Sequence, residues 1–149
     1  MKIALDPFML RHTPLLELPA VVADHGYRYI ELSPREDFMW FFTHPRADKH
    51  TIGKFNTALH GAGVEVAAVL PLYRWSDVDE VERTAAVRYW KRAIEVTVDL
   101  GCNVMNSEFS GDPTDARRCE GQFWKSMEEL LPIFEREGVQ LRLEPLDDR

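Results

Sequence analysis

Residues 26–34, GYRYIELSP, decide the fold when set beside residues 63–71, GVEVAAVLP, residues 101–109, GCNVMNSEF, and residues 138–145, GVQLRLEP. The four leading glycines, Gly26, Gly63, Gly101 and Gly138, lie 37, 38 and 37 residues apart. Each follows a helical pattern and precedes a strand pattern. A glycine there suits the left-handed conformation that ends a helix. A fixed period of this length marks a repeated supersecondary unit. One further strand, KIALDP at residues 2–7, precedes the first helix.

The helices carry their own start signals. Thr13-Pro14 opens the first, with a restart at Pro19. Asp48 caps the second, where Ile52, Phe55 and Leu59 share a face. Asp77 or Asp79 opens the third, with Val81, Trp90 and Ile94 on its buried side. The fourth runs from about Thr114 to Glu137, with Cys119, Phe123, Leu130 and Phe134 as its inner stripe and a kink at Pro132. Strand and helix alternating in this way require right-handed crossovers and a parallel sheet.

Two parallel architectures compete. A flavodoxin-like open sheet uses five strands in a domain of this size, and a (β/α)8 barrel uses eight units. Central strands of an open sheet are covered on both faces and read as unbroken apolar runs. Here Ile30 and Leu32 alternate with Tyr29, Glu31 and Ser33. Val139, Leu141 and Leu143 alternate with Gln140, Arg142 and Glu144. One face is apolar and the other polar, as in a barrel lumen. The reading is therefore one domain over residues 1–149, comprising five strands and four helices of a barrel that stops before closure. The open sheet is the alternative.

The totals narrow the function. The 149 residues carry 18 basic and 25 acidic side chains, a formal charge of −7. An acidic balance without a basic face argues against a nucleic-acid partner. The two cysteines, Cys102 and Cys119, make no metal or redox motif and fit a reducing, cytoplasmic compartment. No run approaches the ~18 apolar residues of a membrane span. Walker, dinucleotide and nucleophile-elbow signatures are missing.

In either architecture ligands meet the C-terminal ends of the strands. Asp6, Glu31, Asn106, Glu108 and Glu144 fall at or just past those ends. Alternation puts Asp6, Glu31, Glu108 and Glu144 on the inward side. Converging carboxylates bind a hard divalent cation or move protons. Arg35, Tyr73, Arg74 and Trp75 lie in the loops beyond the second and third strands and are candidates to touch a polyol or phosphate. Phe38, Met39, Trp40, Phe41 and Phe42 make either an apolar lid or aromatic wall for a sugar face, or a satellite core or oligomer interface. His25 and His60 sit near helix C-termini, where the dipole favours them. His12 and His44 remain rim candidates.

The ordered set YIELSPRED, VLPLYRWS, AVRYWKRAI, MNSEFSG and FEREGVQLRLEP resembles the sugar phosphate isomerase/epimerase family, whose barrel is xylose-isomerase-like. Catalytic chains of C-glycoside-cleaving enzymes are similar members. The resemblance implies a Mn²⁺ or Mg²⁺ ion, or else Co²⁺ or Zn²⁺, at the strand ends. It also implies carboxylates that move a proton between adjacent carbons of a sugar or cyclitol. The implied ligands are a Glu after strand five, an Asp after six, a His after seven and a Glu after eight. Glu144 matches the first, and the other three would lie beyond Arg149. Residues 146–149, Leu-Asp-Asp-Arg, depart from the His-Pro-Asp-Asp-Phe of similar members. The expectation is a metal-dependent isomerase or epimerase that needs a second copy or a missing C-terminal half. The alternatives are a lyase of the same family and a non-catalytic half-barrel that associates with another chain.

Overall fold

A computed structural model of the chain describes residues 2–109 and 111–145. Five strands form one parallel sheet: β1 (Ala4–Leu5), β2 (Tyr29–Leu32), β3 (Glu65–Val69), β4 (Val104–Phe109) and β5 (Gln140–Pro145). Four helices connect them: α1 (Leu18–Asp24), α2 (Lys49–Ala62), α3 (Glu80–Asp99) and α4 (Ala116–Glu137). The strand order is β1-β2-β3-β4-β5, every neighbouring pair parallel. A doubly wound sheet reverses direction at a switch point. This sheet never reverses, so each crossover steps the same way round, as an arc of a barrel does. The open-sheet alternative is thereby set aside.

The helix boundaries follow their signals. Asp48 accepts from the Thr51 backbone N–H at 2.7 Å, and Asp79 accepts from Val81 at 2.8 Å and Glu82 at 3.2 Å. These caps satisfy amides that have no partner within the helix. The α1 helix starts at Leu18 with Pro19 in its first turn, so the restart at Pro19, and not Thr13-Pro14, is its true beginning. The α4 helix continues through Pro132. All four repeat glycines have positive φ, between 66° and 84°. Val81 is corrected: it is 75% exposed, because it sits in the first turn of α3, outside the packed stripe.

The core lies between the outward strand face and the helices. Ile30, Leu32, Val69 and Met105 are each at most 1% exposed and meet Leu18, Val22, Phe55, Trp90, Ile94 and Leu130. Each such aliphatic contributes on the order of 2 kcal/mol of transfer free energy. The opposite parity, Tyr29, Glu31, Asn106 and Glu108, is only half-buried, and Gln140, Arg142 and Glu144 are exposed. The chemistry-bearing face is thus separate from the face that folds the chain.

Among the described residues no helix is long and apolar enough to cross a membrane.

Candidate functional site

Register decides which polar side chains meet. Glu31 is aligned with Ala68, and Glu108 with Glu144. The β2–β3 ladder has a bulge here: Ile30 faces Val66, but Glu31 faces Ala68, which leaves Ala67 as the extra residue. Bulges beside sites re-aim a side chain. This one sets Glu31 beside a methyl group. Above so small a neighbour, Glu31 reaches across β3 to β4, where the Asn106 Nδ2 donates to its Oε2 at 2.8 Å. A larger residue at 68 would crowd the space between them.

Glu31 is also the electrostatic focus. Its pKa is raised above the ordinary 4.5, first by partial burial and then by the negative charges of Asp6 and Glu144; the Asn106 hydrogen bond opposes the rise. Asp6, Glu31, Asn106 and Glu144 therefore share one neighbourhood at the strand C-termini, supplied by β1, β2, β4 and β5. Asp6 has a second task, since its Oδ1 accepts from Phe8 N at 2.9 Å and caps the 3-10 turn Pro7–Leu10. Glu108 shares the face, half-buried, one strand from Glu144.

The raised value has a stability consequence. The protonated form of Glu31 is favoured by folding, so its contribution is fully present below about pH 4.5 and is lost as pH rises through the higher folded value. Glu31→Gln removes that loss. Urea titrations between pH 4 and 8 are expected to show the variant gaining on the wild type above pH 4.5, then levelling. A wild type whose advantage grows with pH would contradict this.

Arg35, placed by the sequence reading among the substrate contacts, is 1% exposed and spends its donors within the chain. Its Nε and Nη2 grip both Asp37 oxygens at 3.0 Å, Nη2 also donates to Thr13 O at 2.6 Å, and Nη1 reaches Leu10 O at 3.5 Å. Asp37 in turn accepts from Leu15 N at 3.1 Å. Arg35 is thus a clamp between the β1–α1 and β2–α2 loops.

Tyr73 and Arg74 do stand in the loop after β3, but Trp75 is corrected: it is 0% exposed and stacks on Trp90 in the core. Tyr73 is half-buried against Tyr89, ring centroids 5.0 Å apart, and burial raises its pKa, with the Glu82 charge adding to the rise. Arg74 is exposed and sits over the Phe42 ring. The aromatic run divides: Phe38 and Met39 belong to the core at 1% and 2% exposure, whereas Phe42 is 49% exposed. The satellite-core reading holds for Phe38 and Met39, and Phe42 stays at the surface. His25 Nδ1 lies 2.8 Å from Val21 O of its own helix, and His60 lies in the last turn of α2.

Among the described residues no three His, Cys, Asp or Glu side chains come together to hold a metal ion. The donor set is all oxygen, the right chemistry for a hard cation, but such an ion wants about six ligands. These residues do not complete a cation site, and no step below runs through one. The departure expected at residues 146–149 lies outside the described residues.

Known proteins share this architecture. The 3-keto-D-glucoside 4-epimerase of E. coli matches with a TM-score of 0.78 and 17% identity, over 99% of this chain and 57% of that one. A putative xylose isomerase from Rhodospirillum rubrum matches at 0.76 and 17%, over 97% and 54%. The D-psicose 3-epimerase of Clostridium cellulolyticum, solved with D-tagatose, matches at 0.67 and 17%, over 87% and 46%. The chain spans about half the length of these structures. No curated protein sequence matches it. The sequence model of the family described as xylose isomerase-like TIM barrel matches residues 19–149. Sheet order, polar lumen face and family match agree, and the chain belongs to the xylose isomerase-like TIM-barrel family.

Proposed function

We propose that this chain supplies the β1–β5 arc of a sugar isomerase or epimerase site, in which a proton moves between adjacent carbons of the sugar. The observation that carries the reading is the convergence of Asp6, Glu31, Asn106 and Glu144 on the lumen side of the strand ends. Burial and the negative charges of Asp6 and Glu144 favour the protonated form of Glu31, which suits it to hold a proton beside the sugar. Glu144 takes the role of acid/base group, removing the proton from the carbon beside the sugar carbonyl. The Glu31–Asn106 pair binds hydroxyls: one carboxylate oxygen is engaged by the amide, and the remaining acceptors of the pair receive O–H donors. The structural neighbours support the reading by their kind, two of them being named sugar epimerases. Were a divalent ion bound, as the family resemblance implies, Glu144 would be one of its ligands and the ion would supply a Lewis acid for the sugar carbonyl.

Solvent exchange tests the proposal. Protein containing this chain is incubated in D2O with Mn²⁺ or Mg²⁺ and with D-fructose, D-tagatose or D-psicose, and proton NMR follows the C–H signals beside the carbonyl. Loss of those signals, abolished by Glu144→Gln, is expected. No exchange with any of the three sugars under either metal would sink the proposal.

A further inference from the structure

Phe42 combines a positive φ with an exposed side chain. Its φ is 51°, and it is the one non-glycine residue with positive φ among the described residues. For a bulky side chain this conformation is uncommon and strained. Strain of this kind persists only where the surroundings enforce it, and it clusters at functional loops. Yet the strain does not serve burial, because the residue stays 49% exposed.

The contacts that enforce it are specific. Phe42 N donates to Leu72 O at 3.3 Å, and the ring meets Tyr73 edge-on at 5.8 Å and 84°. Both tie the β2–α2 loop to the segment just after β3. That segment leaves the same strand end as Ala68, beside which Glu31 and Asn106 meet. The Arg74 guanidinium lies over the ring, 5.2 Å from the centroid, and the Phe41 ring lies beside it at 6.3 Å. Among the described residues Arg74 has no carboxylate in ion-pair contact, and it borders a cleft of about 430 Å³ with Ser76, Asp77 and Asp112. A ring face that attracts a cation also attracts the polarised C–H groups of a sugar, and an uncommitted guanidinium matches hydroxyl or phosphate oxygens.

We infer that Phe42 and Arg74 form a stacking wall for a sugar at the mouth of the lumen, with Phe42 taking the apolar ring face and Arg74 a hydroxyl or an anionic substituent. The inference rests on the sugar-site reading above and adds the residues that select the substrate. On this view Arg74 swings from the ring to the ligand when the sugar stacks.

Saturation-transfer NMR titrations with D-fructose and D-fructose 6-phosphate test it, on the wild type and on Phe42→Gly, Arg74→Gln and Glu31→Gln. Glycine relieves the positive φ while deleting the ring, so a binding defect cannot be ascribed to unfolding. Phe42→Gly is expected to weaken both probes about five-fold, with Tm within about 3 °C of the wild type or above it. Arg74→Gln is expected to weaken the phosphorylated probe more than D-fructose. Unchanged affinities in Phe42→Gly, with Glu31→Gln weakened, would overturn the wall and leave the lumen reading standing. A wild type that binds neither sugar would overturn both.

Discussion

Arg35→Ala is expected to lower stability by about 3 kcal/mol, whether or not a ligand is present. The guanidinium makes charge-assisted bonds to both oxygens of Asp37 and further bonds to the carbonyls of Leu10 and Thr13. Bonds involving a charged group are worth roughly 1.5–3 kcal/mol each, and their loss is not additive. Breaking a fully buried ion pair costs about 3–5 kcal/mol. Asp37 is 44% exposed and can be rehydrated, which moves the figure to the lower end. For a chain of this size ~3 kcal/mol corresponds to a fall in Tm of about 9 °C. Arg35→Lys keeps the charge but loses the planar fork, and about 2 kcal/mol of the loss should remain. Urea melts of the three proteins check this. A variant with wild-type stability and weakened sugar binding would return Arg35 to the role its loop position suggested.

That contrast shows where the sequence is legible. The barrel arc is written in local signals: glycines at a constant spacing, aspartates one turn before an apolar face, and alternation in YRYIELS and VQLRLEP. Such signals report the conformation of a few consecutive residues, and the sheet order follows from the crossover rule. Parity is equally local, so the inward placement of Glu31, Glu108 and Glu144 could be read directly. Partner choice is not local. Arg35 precedes two acids in Arg35-Glu36-Asp37, which hints at an internal pair, yet its burial depends on the β1–α1 loop folding over it from 22 residues away. The β2–β3 bulge that aligns Glu31 with Ala68 depends on how two strands 36–37 residues apart settle together. Phe42 gives no warning, because positive φ is signalled by glycine or asparagine and the sequence has neither there. Long polar side chains and strained loops take their roles from neighbours distant in sequence. The rim was therefore recognisable as a place before its residues could be sorted into clamp, cluster and wall.

The larger expected loss lies beneath that rim. Trp90→Ala should cost about 3–5 kcal/mol, the range for deleting a buried aromatic from a packed core. Trp90 on α3 stacks on Trp75 with centroids 4.0 Å apart and planes 14° from parallel, and both residues are 0% exposed. Phe123 of α4 closes on Trp75 edge-on at 6.0 Å. The backbone at Trp75 is held as well: Ser126 Oγ donates to its carbonyl at 2.5 Å, and Arg83 Nη1 donates to Ser126 Oγ at 3.2 Å. The stack therefore joins the loop after β3 to both α3 and α4. One term opposes the loss. Among the described residues the buried Trp90 indole N–H has no hydrogen-bond partner, and removing an unsatisfied donor returns part of its desolvation penalty, which is about 1–3 kcal/mol. Trp90→Phe separates the two effects, since it deletes the N–H and keeps an aromatic ring. It should cost clearly less than the alanine variant, about 1–2 kcal/mol. Guanidinium denaturation with a constant slope would measure both. The alanine cavity also frees Trp75, and with it the neighbouring Tyr73 and Arg74, so the rim beside Phe42 should loosen before the sheet does. Amide exchange at residues 72–76 is then expected to accelerate in Trp90→Ala under conditions where β2 and β4 remain protected. Equal acceleration throughout the sheet would mean that the stack supports the whole fold and not the rim in particular.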